Sequence, residues 1–290
     1  MPRRGSADAL HPRILCSYLC SVMAFFNVGL PKRISMRLID THTHIYLPEF
    51  AGDIGEVIQR AEKEGVEQFY LPGIDSSVVE NLLALEKQFP GKCIAMIGLH
   101  PCSVKGDYEA ELLGVEEWLG RRPFAAVGEI GLDFHWDRSF EKQQYEAFHR
   151  QIELALRHEL PIVIHSREAM SQCIEVVREH QDGRLRGIFH CFTGDAESAR
   201  AIIDAGLYLG IGGVLTYKNS GLAETLQDIA LEHMVLETDA PYLSPVPFRG
   251  KRNEPSYLKW VVNRLAEVKG VSADEVARIT TKNAQKIFGG

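Results

Sequence analysis

His42 and His44 stand two apart at the end of a short apolar run, in "MRLIDTHTHIYLPEF" (36–50). Alternate residues of a strand share a face, so two such imidazoles can address one ion together. The pattern recurs. His100 ends "CIAMIGLH", Glu129 falls near the end of "FAAVGEI", His165 ends "PIVIH", His190 ends "GIFH", and Glu237-Thr238-Asp239 ends "MVLETD". Imidazole nitrogen and carboxylate oxygen are good ligands for zinc, manganese and other divalent ions. His42, His44, Glu129, His165, His190 and Asp239 are therefore the candidate ligands. Six donors exceed what one tetrahedral zinc needs. They fit two ions (Mg2+, Mn2+ or Zn2+) bridged by a carboxylate, with Glu129 as the natural bridge. Two ions ~3.5–4 Å apart can activate a water and stabilise the leaving oxygen of a phosphodiester. Asp239 is the candidate general base. His100 is a candidate to bind substrate or orient a ligand, and Asp133 and His135 are candidate supports.

Any one of these residues has a plain structural alternative, and a lone His-x-His pair is a weak signal. Six of them at the ends of five apolar runs are harder to explain structurally. Buried polar groups need partners, and no cluster of lysines lies beside them in sequence.

The elements that must position them are legible as alternation. Apolar runs at 38–42, 68–73, 93–100, 124–130, 161–165, 187–190, 207–212 and 234–239 read as strands. Segments of helical period lie at 53–64, 76–88, 109–120, 139–159, 168–180, 196–205 and 220–230. Two more helices follow, at about 255–268 and 272–286, the second opened by Ser272 with Glu275 three residues on, a capping box. Parallel strands need crossover helices, and eight strand–helix units close a (β/α)8 TIM barrel. In such a barrel the C-terminal strand ends converge on one face, where the active site is built. One α/β domain over 36–290 is the expectation.

After the eighth run, "PVPFRGKRNEPSY" carries Arg249, Lys251, Arg252 and Asn253. Loops there often hold phosphate in these barrels, and Arg and Lys suit that ligand. Arg249, Lys251 and Asn253 are candidate substrate contacts, with Ser166 and Arg167 after His165 as a second grip. The cluster is out of character with the rest. Net charge is −7, with +4 on residues 1–36 and −11 on the remaining 254. A chain that coats nucleic acid is usually basic, so a nucleic-acid substrate here must be gripped locally.

The composition, 45% apolar and 24% charged, is that of a globular chain with a sizeable core. Six cysteines form no Cys-x-x-Cys pair, which argues against a disulfide framework or zinc ribbon and for reduced thiols in a cytoplasmic protein. Residues 1–35 differ in character. An apolar stretch, 14–30, follows a basic start as in a signal peptide. Ser17, Ser21 and Asn27 break it, and it is too polar and short for a membrane span. It is expected to be an extension outside the fold, or a start set too early, with the fold beginning at Met36.

Taken in order, "DTHTH", "GLHP", "GEIGLD", "IVIHSRE", "HCFTG", "LETDAPYLSP" and "RGKRNEPSY" resemble the TatD family of metal-dependent deoxyribonucleases, from about Arg37 to Phe288. The resemblance implies an amidohydrolase-like TIM barrel. It also implies two divalent ions on His42, His44, Glu129, His165, His190 and Asp239. The implied activity is hydrolysis of DNA phosphodiester bonds, often 3′–5′ and on damaged DNA, with DNA as partner and no membrane. Family members usually start within a few residues of the His-x-His strand, which again favours Met36. The ligand set does not separate a nuclease from an amide or ester hydrolase on the same scaffold, such as an aminoacyl-tRNA deacylase. The loop is the discriminator: neutralising Arg249 and Lys251 should cripple a nuclease and affect small-ester hydrolysis far less. A non-catalytic protein holding metal for structure is the third alternative, disfavoured by an intact Asp239.

Overall fold

The computed structural model describes Met1 and residues 36–289. The expectations placed on residues 2–35, including Cys16 and Cys20, lie outside the described residues. The strands are β1 (Leu38–Asp40), β2 (Val66–Leu71), β3 (Cys93–Ala95), β4 (Val127–Asp133), β5 (Ile162–Arg167), β6 (Gly187–Phe189), β7 (Tyr208–Ile211) and β8 (Met234–Leu236). The helices are α1 (Ile54–Lys63), α2 (Val79–Gln88), α3 (Tyr108–Arg121), α4 (Glu141–Arg157), α5 (Met170–His180), α6 (Ala196–Asp204), α7 (Leu222–Leu226), α8 (Leu258–Lys269) and α9 (Ala273–Phe288).

Every strand pairing is parallel, in the orders β1-β2-β3 and β4-β5-β6-β7-β8. Two seams join these sheets into a closed ring. Between β3 and β4, Gly128 N donates to Ile97 O at 2.8 Å and Ile97 N to Ala126 O at 3.2 Å. Between β8 and β1, Thr41 N donates to Leu236 O at 3.0 Å and Asp239 N to His42 O at 2.9 Å. Closure leaves no edge strand, and each strand is covered on both faces, which is why the runs read as continuously apolar. This is the (β/α)8 barrel expected from the alternation.

The barrel interior is filled by about one side chain per strand: Ile39, Tyr70, Met96, Ala126, Val163, Ile188 and Val235. Ala284 and Ile287 of α9 join this cluster, and Phe288 stacks on Tyr70 at 3.9 Å. The C-terminal helix thus plugs the N-terminal mouth, and the polar residues are left to the other end.

Two elements differ from expectation. The strand expected over 124–130 runs instead over Val127–Asp133, so Glu129 lies inside β4 rather than near its end. Helix α7 is one short turn rather than 220–230. Lys269, far along the chain, donates from Nζ to the carbonyls of Leu226, Gln227 and Ile229 at 2.6–3.0 Å, taking the oxygens a longer helix would use. At α9, Ser272 Oγ accepts from Glu275 N at 3.1 Å, as the capping pattern predicts.

Candidate metal centre

Glu129 sits at a register irregularity. Gly128 pairs with Val163 and Ile130 with Ile164, leaving Glu129 as an extra residue. A bulge of this kind re-aims a side chain. The close approach it needs is provided by Gly98, where a Cβ would meet the Gly128 carbonyl carbon at 2.8 Å. The carboxylate is 1% exposed and points into the mouth of the barrel.

Its two oxygens face different imidazoles. Oε2 lies 3.2 Å from His42 Nε2 and 3.5 Å from His44 Nε2. Oε1 lies 2.9 Å from His165 Nδ1, 2.8 Å from His190 Nε2 and 3.2 Å from His100 Nε2. Asp239 Oδ1 approaches the first pair, at 3.5 Å from His44 Nε2 and 3.7 Å from His42 Nε2. The six predicted ligands therefore converge about one carboxylate in overlapping groups, His42 with His44 and Glu129, His42 with His190 and Asp239, and Glu129 with His165 and His100. Nitrogen and oxygen donors in this number suit first-row divalent ions, so the residues present fit the ions the sequence implies.

Hydrogen bonds behind the rings decide which nitrogen each ring offers. Tyr46 gives its one hydroxyl proton to Pro72 O at 2.6 Å, so its oxygen accepts from His44 Nδ1 at 3.0 Å. That leaves the neutral ring a lone pair on Nε2, facing the centre. Asp133 Oδ2 accepts from His165 Nε2 at 2.8 Å, which directs Nδ1 inward. Glu237 Oε1 accepts from Cys191 N and lies 3.5 Å behind His190 Nδ1, close enough to favour charge on that ring without a hydrogen bond to it. Carboxylates behind ligating histidines fix the tautomer and raise basicity. His100 differs. Its Nδ1 accepts from Cys102 N at 3.0 Å, so the neutral ring carries its proton on Nε2 and donates to Glu129. Burial, the largest influence, lowers its pKa and keeps it neutral. His100 therefore orients Glu129 rather than acting as a ligand.

The remaining predicted residues divide. Ser166 and Arg167, at the end of β5, line the same cavity of about 720 Å3 as the metal-facing residues. Arg249 and Lys251 are exposed and outside that lining. The Arg249 guanidinium lies 3.8 Å over the Tyr217 ring, and the Lys251 ammonium 5.9 Å over Phe248. Arg252 is committed to Asp53, at 2.6 Å. Asn253 is a correction. It is fully buried and its amide donates to Thr238 O at 2.7 Å and Tyr242 O at 2.6 Å, so it braces the loop that carries Asp239 and offers nothing to substrate. His135 turns to exposed Glu168, whereas Asp133 does support the site. The sequence reading gave no role to Tyr46 and Glu237. The one available signal was that both extend runs already ending in ligands.

Charge is balanced inside the centre. Burial works to raise the pKa values of Glu129 and Asp239, but the surrounding imidazoles outweigh it. Glu129 is held well below the ordinary carboxylate value and Asp239 below it. Burial works to lower His44, but bonds to Asp239 and Glu129 pull it up to about 9. His165 is raised against burial by Asp133 and Glu129, and His190 by Glu129 and Glu237. A histidine raised in the folded state stabilises fully below about pH 6.5, its unfolded pKa, and loses that contribution as pH rises through the folded value. Chelator-treated protein should therefore show a Tm that falls from about pH 6.5 to 9. A divalent ion takes the place of the lost protons, so the Tm gain on adding metal should grow over the same window. Scanning calorimetry with and without Mn2+ checks this, and a metal-induced gain independent of pH would contradict it.

Comparison with known proteins identifies the family. Residues 39–289 match the family described as TatD related DNase. The chain is 39% identical over 252 residues to a Bacillus subtilis protein named uncharacterized metal-dependent hydrolase YabD, covering 87% of this chain and 98% of the relative. It is 32% identical over 258 residues to an Erwinia tasmaniensis protein named 3′-5′ ssDNA/RNA exonuclease TatD, covering 87% of this chain and 99% of the relative. Among solved structures it resembles YjjV, a TatD homologue from Escherichia coli, with a TM-score of 0.84 at 31% identity, covering 89% of this chain and all of that one. The match over residues 39–289, with relatives above 30% identity covered over nearly their whole length, means that the chain belongs to the TatD family of metal-dependent hydrolases.

Proposed function

We propose that the chain hydrolyses phosphodiester bonds of DNA from the 3′ end, using two divalent ions. The observation that carries the reading is the division of Glu129, with Oε2 toward His42 and His44 and Oε1 toward His165 and His190. A carboxylate whose two oxygens face different imidazoles would let Glu129 contribute to both ions of a pair. The family description and the name of the Erwinia relative support nucleic acid as substrate.

Bound there, two ions would lower the pKa of an attacking water and neutralise charge on the phosphate. The protein supplies the rest. Asp239, kept ionised by its imidazole neighbours, is placed to accept the proton of the attacking water. Asp133 and Tyr46 hold the His165 and His44 rings in orientation, Glu237 lies behind His190, and His100 holds Glu129. Arg167, at the cavity lip, would take a phosphate, and Arg249 and Lys251, outside the cavity lining, could reach only a part of the strand that runs beyond it. Few cations face the substrate, which suits a local grip by an acidic chain.

Metal removal tests the reading. Chelator-treated protein should leave 5′-labelled single-stranded DNA intact, and Mg2+, Mn2+ or Zn2+ should restore stepwise shortening. Metal that binds but restores cleavage of neither DNA nor RNA would show that the substrate is wrong and send the search to esters and amides.

A further inference from the structure

The mouth of the metal cavity carries exposed aromatic surface that packing does not require. Trp136 is 69% exposed, Tyr242 49% and Leu243 39%, and all three line the cavity. Trp136 follows β4 and Tyr242 follows β8. These strands are four places apart in a ring of eight, so the two rings stand on opposite sides of the opening.

Trp136 is not a loose surface residue. Asp133 Oδ1 accepts from Trp136 N at 3.1 Å and from His135 N at 3.0 Å. The other oxygen of that carboxylate holds His165. One side chain thus fixes both a ligating ring and the backbone of the tryptophan, tying the indole to the centre. Gln144 anchors the same turn by accepting from Asp133 N at 2.9 Å. Arg167 lies 5.0 Å over the indole ring, and His135 packs on it edge-on at 4.8 Å. An indole so placed, with much of its ring open to solvent and a guanidinium beside it, has the parts for a flat ring attached to an anion: stacking from the indole and a phosphate contact from Arg167.

We infer that Trp136 is the stacking platform for an unpaired nucleobase next to the phosphate being cut, and that it selects single strands. The inference rests on the nuclease reading above. A base inside a duplex has both faces stacked and cannot engage the ring, whereas an unstacked strand end can. Tyr242, across the mouth, bounds the path of the strand.

The test compares parent, Trp136→Ala and Trp136→Phe, each loaded with Mn2+ and checked for metal content. Substrates are a single-stranded oligonucleotide, a blunt duplex of the same sequence, and a single strand whose 3′-terminal stretch carries abasic residues. The expected loss in kcat/KM for Trp136→Ala on the normal single strand is about 5- to 100-fold, mostly in KM. Phenylalanine should recover most of it. On the abasic strand the parent should fall toward the alanine variant, and the gap between them should close. If the parent cuts DNA but Trp136→Ala stays within twofold, or its deficit persists undiminished on the abasic strand, Trp136 is not a base platform and the nuclease reading stands. If the parent cuts neither DNA nor RNA, the nuclease reading falls and takes this inference with it.

Discussion

Glu129→Gln should reduce the metal content, from two ions per chain on the proposed reading to one or none, and lower the proposed DNA hydrolysis by more than about 100-fold. The lower bound follows from residues behind metal ligands, whose replacement typically costs about 10- to 100-fold in affinity or activity. Glu129 does more than those residues, since its two oxygens face separate imidazole groups. Glutamine keeps the shape but turns one oxygen into a donor. Whichever way the amide settles, an NH2 group faces imidazoles on one side.

The substitution also reaches the metal-free state. Glu129 is among the groups that raise His44, His165 and His190. Without it these rings lose affinity for protons, so the fall of Tm between about pH 6.5 and 9 should flatten in the variant. Metal analysis by atomic emission, rates on labelled DNA, and calorimetry across that range read the three effects separately. A variant that still holds two ions and cuts at the parental rate would remove Glu129 from the bridge.

The convergence of the candidate ligands was legible in the sequence for a topological reason. A closed parallel barrel gathers every C-terminal strand end onto one face, so polar residues ending apolar runs had to meet. Knowing only the order of runs was enough to place His42, His165, His190 and Asp239 together. What stayed hidden depends on direction rather than position. Asn253 lies in a basic loop and reads as a phosphate contact, yet its amide turns inward to the carbonyls of Thr238 and Tyr242. Nothing within a few residues of it reveals those acceptors. Glu129 lies two residues after the start of β4 rather than at its end, and a bulge, invisible as a pattern of residue types, turns it into the site. Tyr46, Asp133 and Glu237 act through rings they touch, and only atom-level contacts separate such supports from other buried polar residues. Helix α7 stops where a lysine from α8 takes its carbonyls, a contact no local periodicity contains.

Asp239→Asn should lower kcat by about 10²- to 10⁴-fold, the usual range for a positioned general base, while the fold and most of the metal affinity survive. The backbone at this position is fixed from both sides. Asp239 N donates to His42 O at 2.9 Å, and Asp239 O accepts from Tyr242 N at 2.8 Å. The preceding Thr238 is held through its N–H and hydroxyl by buried Asp40, and through its carbonyl by Asn253. Asp239 has φ 56°, in the left-handed region. Asparagine tolerates that region as readily as aspartate, so the exchange removes charge without adding strain. His42, His44 and Glu129 remain to hold an ion on that side. Rates measured against metal concentration separate the two roles the carboxylate can have. A deficit that persists at saturating Mn2+ with KM little changed marks the loss of a proton acceptor. A deficit erased by raising Mn2+ marks the loss of a ligand only, and the base would then have to be sought elsewhere in the cavity.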